Sequence, residues 1–136
     1  MTNKQQRFFQ VAQSIAATSL FPRIHIGAVI VKKNTVLAVG VNQQKSHPLQ
    51  QRYNTYRNIP VELHHYLHAE IAALVKTDED LTEAEVYVYR ENHNDQLAMA
   101  RPCAACMDAL YDRNVRTVHY TTNVGVATET YTVRIK

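Results

Sequence analysis

Two short apolar runs separated by three polar residues constrain this chain more than any other feature. Ile24-His-Ile-Gly-Ala-Val-Ile-Val31 and Thr35-Val-Leu-Ala-Val-Gly-Val41 are dense in β-branched residues, with Lys32-Lys-Asn34 between them. β-Branched side chains are stiff in a helix and pack well on a pleated surface. Three residues leave no room for a crossover, so the runs form a hairpin. A hairpin cannot stand alone in water, and the rest of the chain has to extend it and cover it.

The flanking segments alternate between helical and extended patterns. Phe8, Phe9, Val11, Ala12, Ile15 and Ala16 recur at helical spacing, which predicts a helix over roughly Asn3 to Ser19, stopped by Pro22. Leu67 to Lys76 is helical through Leu67, Ile71, Ala72 and Val75. Ala84 to Tyr89 alternates as a strand, Cys103 to Arg113 is a helix ending near Asn114, and Val115 to Thr121 and Val126 to Ile135 are strands around a turn at Asn123-Val-Gly125. The order α-β-β-α-β-α-β-β predicts an α/β fold with a mixed five-stranded sheet and helices on its faces. No helix fits between the last two strands, so the final strand is antiparallel to its neighbour. Gln43 to Tyr66, with Pro48, Pro60 and many Gln and Asn, reads as a long loop. From Gln43 to Val61 it carries Lys45, Arg52 and Arg57 and no acidic residue. A loop of that length is usually functional or mobile.

The 136 residues suit a single domain over 1–136, and 46% hydrophobic with 20% charged residues suits an ordinary globular one. A net charge of +3 fits a phosphorylated ligand without demanding one. Met1 to Gln6 is polar, and Gln10, Gln13 and Ser14 interrupt the apolar positions beyond it, which is neither a signal peptide nor a membrane span. A cytoplasmic location is therefore expected, where Cys103 and Cys106 stay reduced.

Two pieces carry chemistry: His68-Ala69-Glu70 and Pro102-Cys103-Ala104-Ala105-Cys106, each at the start of a predicted helix. Two thiolates and an imidazole are a usual zinc set, and three ligands without an obvious fourth leave a position open for water, as in catalytic rather than structural sites. Zinc lowers the pKa of a bound water enough to supply hydroxide near neutral pH. Glu70 lies two residues from His68, off its face of the helix, so one side chain can ligate while the other handles the water's protons.

His-x-Glu followed by Pro-Cys-x-x-Cys is the signature of zinc-dependent nucleobase deaminases, and the chain resembles the cytidine and deoxycytidylate deaminase superfamily from about Ile24 to Tyr120. Gly27-Ala-Val-Ile-Val31 resembles the family's first strand and Val39-Gly40-Val41-Asn42 the end of its second. The layout is also similar to small deaminases encoded by bacteriophages, which would place it in a host's cytoplasm. The resemblance implies a three-layer α/β/α cytidine-deaminase-like fold and a homo-oligomer. It also implies Zn2+ on His68, Cys103 and Cys106, Glu70 as proton shuttle, the backbone at Ala69 against the base, Asn42 on the sugar and Tyr120 near the base. The stretches from Asn42 to His68 and from Tyr89 to Pro102 are longer than the common pattern, and both border the expected pocket.

The implied reaction is hydrolytic deamination of a free pyrimidine nucleoside or nucleotide, cytosine to uracil, with deoxycytidylate favoured by the basic insert. The alternative is a polynucleotide deaminase acting on a base in single-stranded DNA or RNA; a third is a silent scaffold keeping the fold. Candidate phosphate or nucleic-acid contacts are Arg23, His25, Lys45, His47, Arg52, Arg57 and His64. Tyr53, Tyr56 and Tyr66 could stack on bases beside those cations or simply anchor the loop. Read as a redox pair, Cys-x-x-Cys leaves His68 and Glu70 unexplained. Read as structural zinc, it needs a fourth ligand such as His64 or His65.

Overall fold

A computed structural model describes residues 1–56, 66–92, 94 and 96–132. Helix α1 spans Asn3–Ala16. The Gln5 amide donates to Thr2 Oγ1 at 3.1 Å and the Thr2 amide donates to the Gln5 side chain at 2.9 Å. This reciprocal cap satisfies amides that a helix start leaves open. The helix stops at Ala16, short of the expected Ser19, because the Ser19 hydroxyl turns inward and donates to Asn42 Oδ1 at 2.7 Å.

Strands β1 (Ile24–Lys32) and β2 (Thr35–Val41) form the expected antiparallel hairpin. Lys33 and Asn34 take φ of 51° and 63°, the left-handed pair that a tight hairpin turn requires. Strand β3 (Glu85–Asn92) pairs antiparallel with β1, and β4 (Thr117–Thr122) runs parallel to β3. The crossover between them holds helix α4 (Ala104–Asp112). Strand β5 (Gly125–Thr130) returns antiparallel to β4, giving the sheet order β2-β1-β3-β4-β5.

Alternation along the strands builds two cores. Val29, Val31, Tyr87 and Tyr89 face α1 and meet Phe8, Phe9, Ala12 and Ala16. Ala28, Ile30, Val86, Val88 and Val118 face the other way, under α4 and helix α3 (Ala69–Leu74). The fold is thus the expected α/β/α sandwich on a mixed five-stranded sheet.

The insert departs from expectation. Residues 48–56, expected to be loop, form helix α2 (Pro48–Tyr56). Its buried positions are Gln50, Tyr53 and Asn54. These have helical spacing, but two are polar, so no apolar stripe announces the helix. Its start was written in the sequence: Pro48 occupies the first turn, where a missing N–H costs nothing. His47 precedes it, and the Leu49 amide donates to His47 Nδ1 at 3.0 Å. Residues 57–65, including Arg57, His64 and His65, lie outside the described residues. No helix among the described residues is long and apolar enough to cross a membrane.

On the α1 side, Glu85 lies between Lys4 Nζ at 2.8 Å and His119 Nε2 at 2.7 Å. Burial opposes ionisation of Glu85, but the bonds from Lys4 and His119 outweigh it and hold the carboxyl below its ordinary 4.5. A depressed folded-state value adds stability above 4.5 that is lost as the pH falls through the lower, folded value. Thermal melts between pH 6 and about pH 3 should therefore lose less Tm in Glu85→Gln than in the unmodified chain; parallel curves would remove Glu85 from the acid response.

Candidate active site

The site is assembled from two helix starts. His68 is the N-cap residue of α3 and Cys103 that of α4, with Cys106 one turn inside α4. Helix α3 can seat this close to the sheet because Gly40 lies beneath it: a Cβ there would sit 2.4 Å from both the Ala69 carbonyl oxygen and the Ala73 nitrogen. His68 Nδ1 is 3.5 Å from Cys103 Sγ and 3.3 Å from Cys106 Sγ. All three donor atoms lie within 4.8 Å of one another. A tetrahedral zinc with bonds of about 2.3 Å to sulfur and 2.0–2.1 Å to nitrogen sets an N···S edge of roughly 3.5 Å. The three side chains therefore fit that ion in both chemistry and spacing, and Nδ1 is the imidazole atom turned to it.

Glu70 stands outside this donor group, yet it is buried at 5% exposure and lines the same cavity. The cavity has a volume of about 260 Å³, near the small end for small-molecule sites. His68, Glu70 and Cys103 line it together with Phe21, Tyr66 and Asn42. Phe21 and Tyr66 meet edge to face with centroids 5.1 Å apart. Arg90, Met99 and Arg101 add two cations and an exposed thioether.

Among the protein groups alone, the two thiols divide their protons unequally. The bond from Cys106, against burial, holds Cys103 down to about 4, while its bond to Cys103 and burial push Cys106 well up. Burial would lower His68, but its bond and charge contact with Cys103 raise it. Burial pushes Glu70 up to about 7, against the pull of His68. Three donors crowded with protons and charge in a buried corner suit a cation that replaces those protons.

The structure sorts the remaining candidates. Asn42 lines the cavity, but most of its amide is engaged. Oδ1 accepts from Ser19 and from the Ile26 amide at 3.0 Å, and Nδ2 donates to the Ile24 carbonyl at 2.9 Å. One N–H remains, so Asn42 can donate a single bond to a ligand. Ala69 is fully buried against Gly40. Tyr120 is buried, donates to Glu129 at 2.8 Å and is not among the cavity residues. Arg23 and His25 are likewise not among the cavity residues, and Lys45 lines a neighbouring cavity with Asn42. His47 is committed to capping α2, and Arg52 lies 5.9 Å over the Tyr53 ring. Arg90, Arg101 and Phe21 line the cavity although the sequence does not single them out: Arg90 and Arg101 lie in the stretch expected to border the pocket, but no spacing marks them within it, and Phe21 lies in the bend before β1.

The chain belongs to the family described as the cytidine and deoxycytidylate deaminase zinc-binding region, whose model matches residues 2–122. It is accordingly a zinc-dependent deaminase, a hydrolase acting on carbon–nitrogen bonds. Its fold is similar to that of dCMP deaminase from the cyanophage S-TIM5 in apo form, with a TM-score of 0.61 and 22% identity over 88% of this chain and 84% of that one. The same enzyme in complex with dCMP and dUMP gives a TM-score of 0.60 at 22% identity, over 88% and 82% of the two chains. The RibD protein of Acinetobacter baumannii, form 2, gives 0.52 at 24% identity, over 86% of this chain and only 27% of that one. At these identities the likeness speaks for the fold. No curated protein matches the chain.

Proposed function

We propose that this chain hydrolytically deaminates a free pyrimidine nucleotide, cytosine to uracil, with deoxycytidylate the favoured substrate. The observation that carries the substrate class is the cavity itself. Glu70 and the His68 and Cys103 donors line the same small space as the cations Arg90 and Arg101. That pairing suits a flat heterocycle bearing one anionic group. The cyanophage relative whose fold is similar was solved with dCMP and dUMP, which is consistent with this choice.

Zinc held by His68, Cys103 and Cys106 supplies an activated water when bound. Glu70 is placed to move two protons in turn: one from the attacking water to the ring nitrogen, and a second from the resulting hydroxyl to the amino group, which would leave as ammonia. Phe21 and Tyr66 offer apolar faces along the cavity, and Asn42 donates its one spare N–H. Arg90 is the more available of the two cations. Arg101 is paired with the Glu129 carboxylate at 2.6 Å, whereas Arg90 has no carboxylate partner among the described residues: its Nη1 donates to the neutral Met99 carbonyl at 3.3 Å and its Nε is buried without a hydrogen-bond partner.

Ammonia release measured on cytidine, deoxycytidine, their monophosphates, adenosine, guanine and short single strands tests the proposal. Turnover should be highest on deoxycytidylate; activity confined to oligonucleotides would replace this reading with a polynucleotide deaminase. Arg90→Ala should raise KM for the monophosphate by roughly 10–100-fold, the value of one charge-assisted hydrogen bond, and leave KM for the nucleoside nearly unchanged. An equal effect on both would remove Arg90 from phosphate recognition. The homo-oligomer is proposed on the family resemblance alone, and light scattering reads it directly.

A further inference from the structure

One hydrogen bond behind the metal donors has no part in the zinc chemistry proposed for them. His68 is the N-cap residue of α3, and its own backbone N–H lies before the helix ladder begins. In a capping box the side chain of the third helical residue would accept that N–H, but here that residue is Ile71, whose side chain has no acceptor. The bond comes instead from 18 residues upstream: the His68 amide donates to Gln50 Oε1 at 3.0 Å. Gln50 is fully buried, at 0% exposure, and its Nε2 donates to Asn54 Oδ1 at 2.9 Å. Its carboxamide is therefore locked from both ends. One turn further along α2, the Tyr53 hydroxyl donates to Asp112 at 2.6 Å, at the last residue of α4. Helix α2 is thus bonded to the N-cap of α3 and to the last residue of α4, the two helices whose N-terminal ends carry the metal donors.

We propose that Gln50 is a positioning residue for the metal centre. It fixes the backbone at His68, and through it the direction of Nδ1, so that α2 braces the ligand set instead of acting as a mobile cover. A buried glutamine is an unusual choice for a brace, because an apolar residue would fill the same space without polar groups to satisfy. An acceptor aimed at the His68 N–H accounts for it. Partners that orient a ligand from behind normally change metal affinity by about 10–100-fold when lost.

The inference rests on the zinc reading, and the two can fail separately. Zinc affinity is measured by competition with a chromophoric chelator, and the ligand field by the thiolate-to-metal absorption of the Co2+-loaded chain. The unmodified chain should bind one zinc, and His68→Ala should lose it; if not, the zinc reading itself falls. Given that binding, Gln50→Leu should weaken zinc about 10–100-fold and shift the Co2+ spectrum, and Gln50→Glu, which keeps an acceptor, should restore most of the affinity. A Gln50→Leu chain with lower Tm but unchanged affinity and spectrum would make Gln50 merely structural and overturn the proposal. Should that variant not fold, amide exchange on the unmodified chain decides. A His68 amide as protected as the α3 core supports the brace, and one exchanging like an open loop overturns it.

Discussion

Glu70→Gln is expected to lower kcat by about 10²–10⁴-fold, the range that a positioned acid–base group contributes, with one zinc still bound per chain. The substitution keeps the size of a side chain that is only 5% exposed. It removes the one property the mechanism uses, the capacity to accept and release a proton. Glu70 lies outside the His68, Cys103 and Cys106 donor group but lines the same cavity as His68 and Cys103. Zinc content and turnover should therefore separate in this variant. Glu70→Ala should be equally inactive with its metal retained. Near-normal turnover on the best substrate of the panel would end the proton-shuttle assignment. Loss of zinc together with activity would instead move Glu70 into the ligand set.

That separation could be anticipated from the sequence because it depends on local spacing alone. His68-x-Glu70 sets two side chains on different faces of one helical turn, and Cys103-x-x-Cys106 sets two thiols one turn apart, whatever the rest of the chain does. The hairpin was equally legible, since two β-branched runs joined by three residues have one economical arrangement. What the sequence concealed depends on contacts between distant segments. Helix α2 buries Gln50 and Asn54, so its inward face looks polar and its periodicity is invisible to an apolar count. Asn42 stood out as a ligand contact, yet three of its bonds hold Ser19, Ile24 and Ile26. Its side chain locks the end of β2 to the start of β1 as well as facing the cavity. Tyr120 lies on β4, between β3 and β5, and spends its hydroxyl on Glu129. Arg90 lies in the stretch expected to border the pocket, but nothing in the sequence distinguishes it there: it joins the cavity lining where β3 runs on to Asn92, beyond the expected end at Tyr89.

Gly40→Ala should cost more than any other single-methyl change near the site. The added Cβ would lie 2.4 Å from the Ala69 carbonyl oxygen and from the Ala73 nitrogen, and 2.9 Å from the Ala72 carbonyl carbon. All three are backbone atoms of α3, so no side chain can rotate away; the helix must lift from β2 or the strand must bend. Overpacking of a core commonly costs about 1–3 kcal/mol and occasionally more, and a backbone clash belongs at the upper end. For a chain of this size that corresponds to a fall in Tm of roughly 10 °C. The clash also reaches the metal centre, because the helix being lifted begins at His68. Gly27→Ala supplies the control: its Cβ would lie 2.3 Å from the Ala12 carbonyl oxygen, a similar clash, but against α1 on the opposite face. Both variants should melt earlier by circular dichroism. Only Gly40→Ala should also bind zinc more weakly while still folded, since α1 carries none of the donor residues. Equal zinc affinity in the two folded variants would mean that α3 keeps its ligand geometry without its seat on β2, and the close packing over Gly40 would then serve stability alone.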